Sequence, residues 1–422
     1  MISNIDLILK KLFSLQRLGI KVGLEQTEEF LYKIGDPHKQ LKFIHIAGTN
    51  GKGSTCAILN KILIDHGFSV GLYTSPHLVR FNERIQINGE QISDIAIAQF
   101  MRKNADHIKN LKTTFFETTT AMAFDYFFNK SVDIAIIETG LGGRLDSTNV
   151  ISPLVCGISS ISRDHTEILG DSIKAISKEK AGIIKNNTPI ITFEQNDHIM
   201  GVIKETAAMK NAPLTIIKNK DINIDKINNP GSSFRYEKYK INLPLRGKHQ
   251  ILNCLLAIKI AEIILDRIDL DKMYNAINNS NWPGRIEKLF DKNIYYDVAH
   301  NYDSIKVMIE TVVMQHPQKD LIGLFCIKGD KNISSICSLL REKFHKIIIC
   351  QDKEKYLLNV ERLSKAMNDQ KINYSSVRSV KEGLNILQNI KKKDFVGLVF
   401  GSHYIAKEVY SGFGKHFDTT YN

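Results

Sequence analysis

The segment KFIHIAGTNGKGSTCAILNKIL (42–63) brings three glycines and a lysine together between an apolar stretch and a helix-like one. Gly48, Gly51 and Gly53 surround Lys52, and glycines let backbone N–H groups converge on an anion. The N-terminus of a following helix adds a dipole that favours negative charge. These residues predict a phosphate-binding loop, and the alternative is an ordinary glycine-rich turn between a strand and a helix.

The spacing of this loop departs from the strict P-loop pattern, G-x-x-x-x-G-K-[ST]. Counted from Gly48, that pattern would place its second glycine at Gly53 and its lysine where Ser54 stands. GTNGKGST is therefore a variant of the motif. Its context still favours a nucleotide, because 43–47 is β-like and 56–63 keeps helical periodicity, as in strand–loop–helix units.

Two other segments place acids and an imidazole directly after apolar strands. Glu138 ends the strand in IAIIETGLGG, and Asp164 and His165 follow the next strand in SRDHTEILG. Ligands of open α/β sheets bind outside the carboxyl ends of the strands, and a carboxylate near a phosphate loop suits Mg²⁺. We therefore expect a magnesium ligand at Glu138 and a metal or phosphate role for His165. The alternatives are a turn-capping glutamate and a structural histidine.

The elements that must position these residues alternate along the chain. Strands are predicted at 43–47, 70–74, 133–138, 154–158 and 189–192, and helices at 95–108, 118–128 and 173–184. This order predicts a mainly parallel, doubly wound P-loop-type ATPase domain. On the last helix, spacing alone predicts a solvated face for Lys178, Lys180 and Lys185.

A second, smaller α/β domain is predicted after a break. A hairpin at 233–243 and an apolar helix at 251–265 precede the polar segment NNSNWPGRIEKL (278–289), which predicts an exposed linker. The alternation then restarts, with strands near 294–297, 321–326, 346–350 and 395–400. The predicted organisation is an N-terminal ATP-binding domain (1–280), a linker (281–288) and a Rossmann-like C-terminal domain (289–422).

Composition limits the other function classes. The net charge of +12 comes from dispersed lysines, so a basic surface that attracts small anions is favoured over nucleic-acid binding. No apolar run approaches the roughly 20 residues of a membrane helix.

The cationic, amphipathic N-terminus predicts a first helix, with a transit peptide as the alternative. Without a CxxC, the six cysteines are expected to be reduced core thiols of a cytoplasmic protein: Cys56, Cys156, Cys254, Cys326, Cys337 and Cys350.

Nine motifs in one order carry a family resemblance: HIAGTNGKGST, LYTSPHLVRFNERIQING, ETGLGGRLDSTNV, DHTEILG, EKAGIIK, GKHQILN, WPGRIEKL, DVAHN and GSHYIAKEV. Together they resemble folylpolyglutamate synthase and the bifunctional dihydrofolate synthase/folylpolyglutamate synthase of the Mur ligase superfamily. The resemblance spans about Leu15 to Tyr410, although 197–232 carries no recognised motif. It implies a monomer that uses ATP and two Mg²⁺ ions to join L-glutamate to the carboxylate of a folate or of dihydropteroate through an acyl phosphate.

The resemblance also implies residue roles. ATP would contact the phosphate loop, the GKHQILN motif, the linker arginine and the acid of DVAHN: Gly48, Thr49, Asn50, Gly51, Lys52, Gly53, Ser54, Asn253, Arg285 and Asp297. Arg285 matches an arginine on the ATP phosphates. Asp297 matches an acid that contacts the ribose or orients the closing domain. Ser75 and Glu138 would bind one Mg²⁺, and Glu138 and His165 a second.

Substrate contacts follow from the same resemblance. The loop SPHLVRFNERI, with Pro76 and Arg84, corresponds to a segment that meets the pterin, and His300 and Ser402 match positions near the incoming glutamate. The catalytic set would be Lys52, Lys180, His165 and Arg285. Lysines equivalent to Lys180 are carboxylated by CO₂ in related ligases; the alternative is an unmodified lysine paired to a phosphate.

The sequence departs from the family pattern in two places. Tyr302 follows DVAHN where a proline is usual, and IKGDKN (327–332) only approximates the family's DKD segment. The first departure concerns the local turn and leaves Asp297 and His300 in place.

Two other functions compete with this interpretation. A peptidoglycan Mur ligase would carry an extra N-terminal domain of roughly 100 residues, and 41 residues precede Lys42, which argues against it. A regulatory ATPase or nucleic-acid motor would need Walker and arginine-finger residues without an amino-acid site. ADP release that depends on glutamate, compared with release that depends on DNA, separates the ligase from the motor.

Overall fold

The computed structural model describes residues 4–19, 23–227, 231–289, 293–352, 356–390 and 394–414. Within it the chain divides into two compact units. The first consists of Met1–Asn223, Phe234–Asn242 and Gln250–Ser280, and the second of Ile224–Ser233, Leu243–His249 and Asn281–Asn422.

A mainly parallel sheet organises the first unit. Its strands are β1 (Phe43–Ala47), β2 (Val70–Tyr73), β3 (Ile85–Ile87), β4 (Glu90–Gln91), β5 (Ile134–Glu138), β6 (Val155–Ile158), β7 (Ile190–Phe193) and β8 (Leu214–Ile217), in the spatial order β4-β3-β2-β5-β1-β6-β7-β8. Only the β2–β3 and β3–β4 pairs are antiparallel. The predicted strands correspond to β1, β2, β5, β6 and β7. The short β3 and β4 and the partly exposed β8 lack a continuous apolar run and were not predicted.

Helices flank this sheet and complete the unit's apolar cores. They are α1 (Asn4–Ser14), α2 (Glu25–Lys33), α3 (Lys52–Asp65), α4 (Asp94–Lys103), α5 (Ala105–Leu111), α6 (Phe115–Asn129), α7 (Thr166–Leu169), α8 (Ile173–Ala181), α9 (Asp197–Met209), α10 (Lys248–Ile264) and α11 (Leu270–Asn278). The single helix predicted at 95–108 is interrupted at Asn104, whose side-chain amide donates to the Phe100 carbonyl at 3.0 Å. That bond competes with the helical ladder and ends α4.

The predicted hairpin is present within a small separate sheet. Its strands are β9 (Ile222–Ile227), β10 (Ser232–Tyr236) and β11 (Tyr239–Leu243), in the order β11-β10-β9. The residues of β10 and β11 alternate between buried and more exposed positions, which is the period-2 pattern that identified them in the sequence.

The second unit has its own mainly parallel sheet, in which only the β12–β13 pair is antiparallel. The order is β12-β13-β17-β14-β15-β16, with β12 (Glu287–Lys288), β13 (Ile294–Asp297), β14 (Asp320–Phe325), β15 (Lys346–Ile349), β16 (Tyr374–Ser376) and β17 (Phe395–Phe400). Its helices are α12 (Tyr302–Gln315), α13 (Ile333–Lys343), α14 (Val360–Asp369), α15 (Val380–Gln388) and α16 (Ala406–Gly412). Helices α12, α13 and α14 share one buried cluster, whereas α15 packs with α16. This is a doubly wound arrangement.

The polar segment at 278–289 is exposed at some positions and buried at others, whereas its composition predicted exposure throughout. Glu287 and Lys288 form β12 and pair with β13, and Ile286 is 1% exposed within the core of the second unit. A Glu287 carboxylate oxygen accepts hydrogen bonds from Gly284 N at 2.9 Å and Tyr410 Oη at 2.6 Å. The expectation of exposure was wrong because sequence polarity did not reveal these partners.

The chain turns tightly after β17, at Gly401. This glycine has φ +108°, and a Cβ placed there would lie 1.8 Å from the Cys326 carbonyl oxygen. Any side chain therefore needs both a strained backbone and a displacement of the loop after β14. The turn leads directly into Ser402.

Gly401→Ala is expected to lower the unfolding temperature, because this backbone conformation alone costs a non-glycine residue about 1–3 kcal/mol. Gly201→Ala is the matched control. It lies on an exposed face inside α9 with nothing within 4 Å of the added Cβ, and should stabilise by about 0.5–1 kcal/mol. Differential scanning calorimetry compares both variants with the parent. An unchanged melting temperature for Gly401→Ala would contradict this turn geometry.

Candidate active site

The phosphate loop joins β1 to α3 and is held by contacts to the neighbouring loop after β6. The backbone N–H groups of Thr49 and Asn50 donate to the Ser160 carbonyl at 2.7 and 3.2 Å. The Thr49 hydroxyl accepts from Ser162 N at 3.0 Å and donates to Ser162 O at 3.1 Å. The position of the glycine loop is therefore fixed by hydrogen bonds to the loop after β6.

Two glycines of the loop leave no room for side chains. Gly48 (φ +149°) and Gly51 (φ +93°) have positive φ, and a Cβ would lie 1.9 Å from Ser159 Oγ at Gly48 and 2.3 Å from Asn253 Oδ1 at Gly51. The Asn253 amide, which donates to Gln250 Oε1 at 2.9 Å, thus lies against the loop. Gly51 is the N-cap of α3, so the loop leads directly into the N-terminus of that helix.

The first turn of α3 contains two buried hydroxyl groups that lack a hydrogen-bond partner. Ser54 is 1% exposed and Thr55 fully buried, and their hydroxyl oxygens have no partner within the structure. Buried polar atoms are nearly always paired, so these two are suited to a bound ligand. Ser54 is among the predicted ATP contacts and Thr55 is not, although a Ser or Thr after the loop lysine is the usual P-loop signal.

Lys52 lies among acceptors at this helix N-terminus. Its ammonium group is within 3.1 Å of Gly48 O and 3.4 Å of Thr49 O, and 3.8 Å from Glu138 Oε1. Its side chain is 14% exposed, so the charge is largely removed from water.

Ser75 and Glu138 meet because β2 and β5 are parallel neighbours that end at the same sheet edge. Glu138 Oε2 accepts from Ser75 N at 3.3 Å, and the Glu138 side chain is 6% exposed. Pro76, the next residue, is exposed. The structure thus brings together a carboxylate, a serine and a lysine ammonium beside the glycine loop.

His165 has a different environment. It has φ +49°, its side chain is 37% exposed, and Nε2 lies 4.0 Å from Asp164 Oδ2. Among the described residues, no three His, Cys, Asp or Glu side chains form a cluster able to hold a metal ion. The oxygen donors at Glu138 and Ser75 nonetheless suit Mg²⁺, which typically takes one or two carboxylates together with substrate phosphates.

Lys180 is buried, contrary to the solvated face that its spacing predicted. It is 4% exposed, and Nζ donates to Gly48 O at 2.9 Å. Burial, with a further contribution from the Lys52 charge, lowers the pKa of Lys180 to about 7, although Asp164, Asp146 and Glu179 oppose the shift. Spacing alone failed here because the loop that covers α8 comes from a distant part of the chain.

The glycine-rich segment after Glu138 is held by Asp146, which the sequence analysis missed. Its carboxylate accepts from Leu141 N at 2.7 Å, from Thr148 N at 3.0 Å and from the Thr148 hydroxyl. His45 Nε2 lies 2.9 Å from the same hydroxyl, and burial lowers the pKa of His45 to about 3. Asp two residues before Thr in DSTN is a typical Asx-turn pattern and was the available signal.

Arg84, placed near the pterin by resemblance, is 7% exposed. Its Nε donates to His77 Nδ1 at 2.8 Å, and the guanidinium lies 5.2 Å from the centre of the Phe115 ring. Burial and the Arg84 charge lower the pKa of His77 to about 3. His77 lies in the quoted SPHL motif but was given no role.

In the second unit, the acid of DVAHN binds backbone N–H groups. Asp297 Oδ2 accepts from Ile286 N at 2.8 Å and Oδ1 from Ala299 N at 2.7 Å. Burial raises the pKa of Asp297, while the Arg285 charge opposes the shift. Arg285 itself is half-buried and donates to Gly284 O at 3.0 Å.

His300 and Ser402 follow the parallel neighbours β13 and β17 and so share one sheet edge. His300 Nδ1 lies 2.8 Å from Val298 O. Ser402 is 3% exposed, and its hydroxyl accepts from Tyr404 N at 3.1 Å. Both positions meet the rule that ligands bind at the carboxyl ends of strands.

Comparisons with known proteins agree with this architecture. Residues 46–261 match the Mur ligase middle domain, and residues 284–403 match the Mur ligase glutamate ligase domain. The chain is 35% identical over 350 residues to the dihydrofolate synthase/folylpolyglutamate synthase of Bacillus subtilis, covering 78% of this chain and 81% of that protein. It is 33% identical over 337 residues to the folylpolyglutamate synthase of Lacticaseibacillus casei, covering 76% and 78%.

Solved structures show the same fold. The Mycobacterium tuberculosis folylpolyglutamate synthase complexed with ADP and AMPPCP superimposes with a TM-score of 0.89 at 26% identity, covering 97% of this chain and 99% of that one. Escherichia coli FolC in complex with DHPP and ADP gives 0.84 at 26% identity, covering 96% and 97%. These matches confirm the predicted fold class.

The lowered pKa of Lys180 predicts a pH dependence of stability. From about pH 7 to about 10.5, the unfolded chain binds the proton that the native lysine has released. The free energy of unfolding therefore rises with pH in this window. Lys180→Met should lack this rise, so the stability of the parent relative to the variant should grow from pH 7 to 10 in urea titrations.

Lys178→Met, exposed on the same helix, is the control and should follow the parent. If the free energies of unfolding of the parent and of Lys180→Met change with pH in parallel, the pKa of Lys180 is not lowered by burial as described.

Proposed function

The chain belongs to the Mur ligase family, in its folylpolyglutamate synthase and dihydrofolate synthase group, and we propose that it joins L-glutamate to a folate carboxylate at the expense of ATP. We extend the substrate range to dihydropteroate, because the Bacillus subtilis relative is named for both activities. The proposal rests on one observation above all: Lys52, Glu138 and Ser75 lie close together beside the glycine loop. The same chain contains a glutamate ligase domain.

The proposed chemistry has two steps. A carboxylate oxygen of the pterin substrate attacks the γ-phosphorus of ATP, the bond to the bridging oxygen breaks, and ADP leaves. The glutamate nitrogen then attacks the carbonyl carbon of the acyl phosphate, inorganic phosphate leaves, and the nitrogen loses a proton. Phosphoryl transfer needs little covalent help and much charge neutralisation.

The phosphate loop would supply most of that neutralisation. The backbone of 48–54 and the Lys52 ammonium hold the β- and γ-phosphates, and Asn253 contacts the nucleotide from beside Gly51. Support comes from the unpartnered hydroxyls of Ser54 and Thr55, which lie where a helix N-terminus favours an anion. In the second unit, Arg285 would bind a phosphate, and Asp297 would contact the ribose or fix the segment that carries Arg285.

Magnesium fits the donors present. Ser75 and Glu138 would hold one ion and Glu138 and His165 a second, with the remaining positions filled by phosphate oxygens and water. When bound, Mg²⁺ would offset the charge that develops on the transferring phosphoryl group. The hard oxygen donors of Ser75 and Glu138 support the first ion more directly than the imidazole of His165 supports the second.

Lys180 would act as a carbamate. Its neutral amine attacks CO₂, a C–N bond forms, and a proton is released, which converts a cation into an anion beside the second metal site. The support is its burial and a pKa near 7, which leaves a large neutral fraction at physiological pH. The alternative is an unmodified ammonium that holds Gly48 O and pairs with a phosphate.

Substrate positions and organisation complete the proposal. Pro76 and Arg84 would meet the pterin, and His300 and Ser402 the incoming glutamate. The proposed division into 1–280, 281–288 and 289–422 is supported by the two family matches at 46–261 and 284–403.

We place the enzyme in the cytoplasm as a monomer. Its six cysteines are free and buried, as in a reducing compartment. No described helix is long and apolar enough to cross a membrane.

The proposed activity is tested with pure protein, ATP, Mg²⁺, L-glutamate and either dihydropteroate or tetrahydrofolate. Stoichiometric ADP and a product heavier by one glutamyl residue are expected only when pterin and glutamate are both present. Mass spectrometry identifies the product, and omission of each substrate is the control. If the rate of ATP hydrolysis does not depend on pterin and glutamate, or if it rises when DNA is added, the proposed ligase activity is wrong.

Lys180→Ala should lose at least ~10-fold in turnover, about 1.4 kcal/mol of transition-state stabilisation, because the carbamate is missing. Formate or acetate in the assay should restore part of the rate by supplying a carboxylate in the vacated space. Lys178 is exposed on the same helix. Lys178→Ala should therefore keep the parental rate, and added formate or acetate should not change it. Full activity of Lys180→Ala without added acid would remove the lysine from the mechanism.

A further inference from the structure

The loop after β2 packs into an aromatic cluster formed by Phe13, His77, Phe81 and Phe115. The rings of Phe13 and Phe115 stack with centroids 5.7 Å apart and planes 17° apart. The Phe81 ring meets Phe115 edge-on at 6.0 Å, and His77 lies 6.0 Å from Phe13 and 6.4 Å from Phe81. These residues come from α1, the loop after β2 and the start of α6, and they lie in one unit of the chain.

Arg84 lies on this aromatic cluster with its orientation fixed from two sides. Its guanidinium lies over the Phe115 ring at 5.2 Å, a distance suited to cation–π attraction. Its Nε–H donates to His77 Nδ1 at 2.8 Å. Arginine can only donate, so His77 must accept at Nδ1 and carry its proton on Nε2.

The bond to His77 removes a rotational freedom that the ring contact leaves open. A guanidinium stacked on a phenyl ring can still turn within its own plane. An acceptor on Nε defines that angle, and with it the direction of the two terminal nitrogens. Arginine recognises carboxylates and aromatic faces through its planar fork, so the direction of the fork decides what it can bind.

We propose that His77 is a positioning residue for pterin recognition, which acts through Arg84 by fixing the guanidinium over Phe115. The ligand class is a reduced pterin linked to an aromatic carboxylate, such as dihydropteroate. This proposal rests on the function proposed above. His77 contacts the arginine, and a pre-oriented arginine lowers the ordering cost of binding.

The test compares two replacements of His77 that differ in one acceptor. His77→Asn places an amide oxygen near the former Nδ1, whereas His77→Leu keeps similar bulk without an acceptor. Dihydropteroate binding is measured by equilibrium dialysis without glutamate, and KM values are measured for each substrate. His77→Leu should weaken dihydropteroate binding at least ~10-fold, about 1.4 kcal/mol. It should leave the KM for ATP and glutamate within about twofold, and His77→Asn should stay within about threefold of the parent.

A double-mutant cycle tests the route through Arg84. If His77 acts only by orienting that side chain, His77→Leu should have no further effect in an Arg84→Ala background. His316→Leu is the matched control, because His316 pairs with Tyr295 in the other unit, and it should bind dihydropteroate like the parent. Thermal melting checks that each variant is folded. If His77→Leu does not fold, His77→Gln, whose acceptor lies nearer the Nε2 position, takes its place and should show the same loss.

Two results would overturn the positioning role while leaving the ligase intact. One is equal dihydropteroate affinity for His77→Leu, or its Gln substitute, and His77→Asn. The other is a full additional loss when His77→Leu is combined with Arg84→Ala. A parent protein that binds neither dihydropteroate nor tetrahydrofolate and forms no glutamylated product would refute the proposed function, and the positioning role with it.

Discussion

Two lysine side chains donate to one backbone oxygen. Lys52 from α3 and Lys180 from α8 both bond the carbonyl of Gly48, at 3.1 and 2.9 Å. Burial, together with repulsion from the Lys52 charge, lowers the pKa of Lys180. The nearby Glu138 offsets part of the positive charge. The Lys52 ammonium and the N-terminus of α3 lie beside this oxygen, and together they favour an anion.

The parallel sheet makes this concentration of charge possible. The strands β2, β5, β1 and β6 are neighbours, so the loops that follow them must lie side by side. Ser75, the glycine loop and Ser160 lie in those loops, and Glu138 is the last residue of β5. The Glu138 carboxylate is therefore placed by the pairing of β5 with its neighbours, whereas Lys52 and Lys180 are carried by α3 and α8.

Local sequence features predicted those parts of the protein that depend on nearby residues. The apolar run at 43–47 and the glycines after it specify a strand and a loop almost by themselves, and β1 has the predicted bounds. Partners that are distant in the sequence were not predictable in this way. Lys180 contacts Gly48, 132 residues away, and no helical spacing reveals that α8 is covered at this point.

The same distinction explains the missed residues and the wrong expectation of exposure at 278–289. Asp146 and His77 act through bonds to backbone groups or to another side chain, so their types alone do not indicate a role. The polar composition of 278–289 suggested exposure, yet Ile286 is buried and Glu287 is held by Gly284 and Tyr410. Family resemblance supplied the expected roles of Arg285 and Lys180, and the burial of Lys180 became visible only in the fold.

The crowded glycines of the phosphate loop also constrain how this protein can evolve. A side chain at Gly51 would meet Asn253 on α10, and one at Gly48 would meet Ser159 after β6. Neither position can change alone, so a lineage that acquires a larger residue at either one must alter its opposing partner in the same step or beforehand. The two glycines of the loop are thus coupled to segments more than 100 residues away in the sequence.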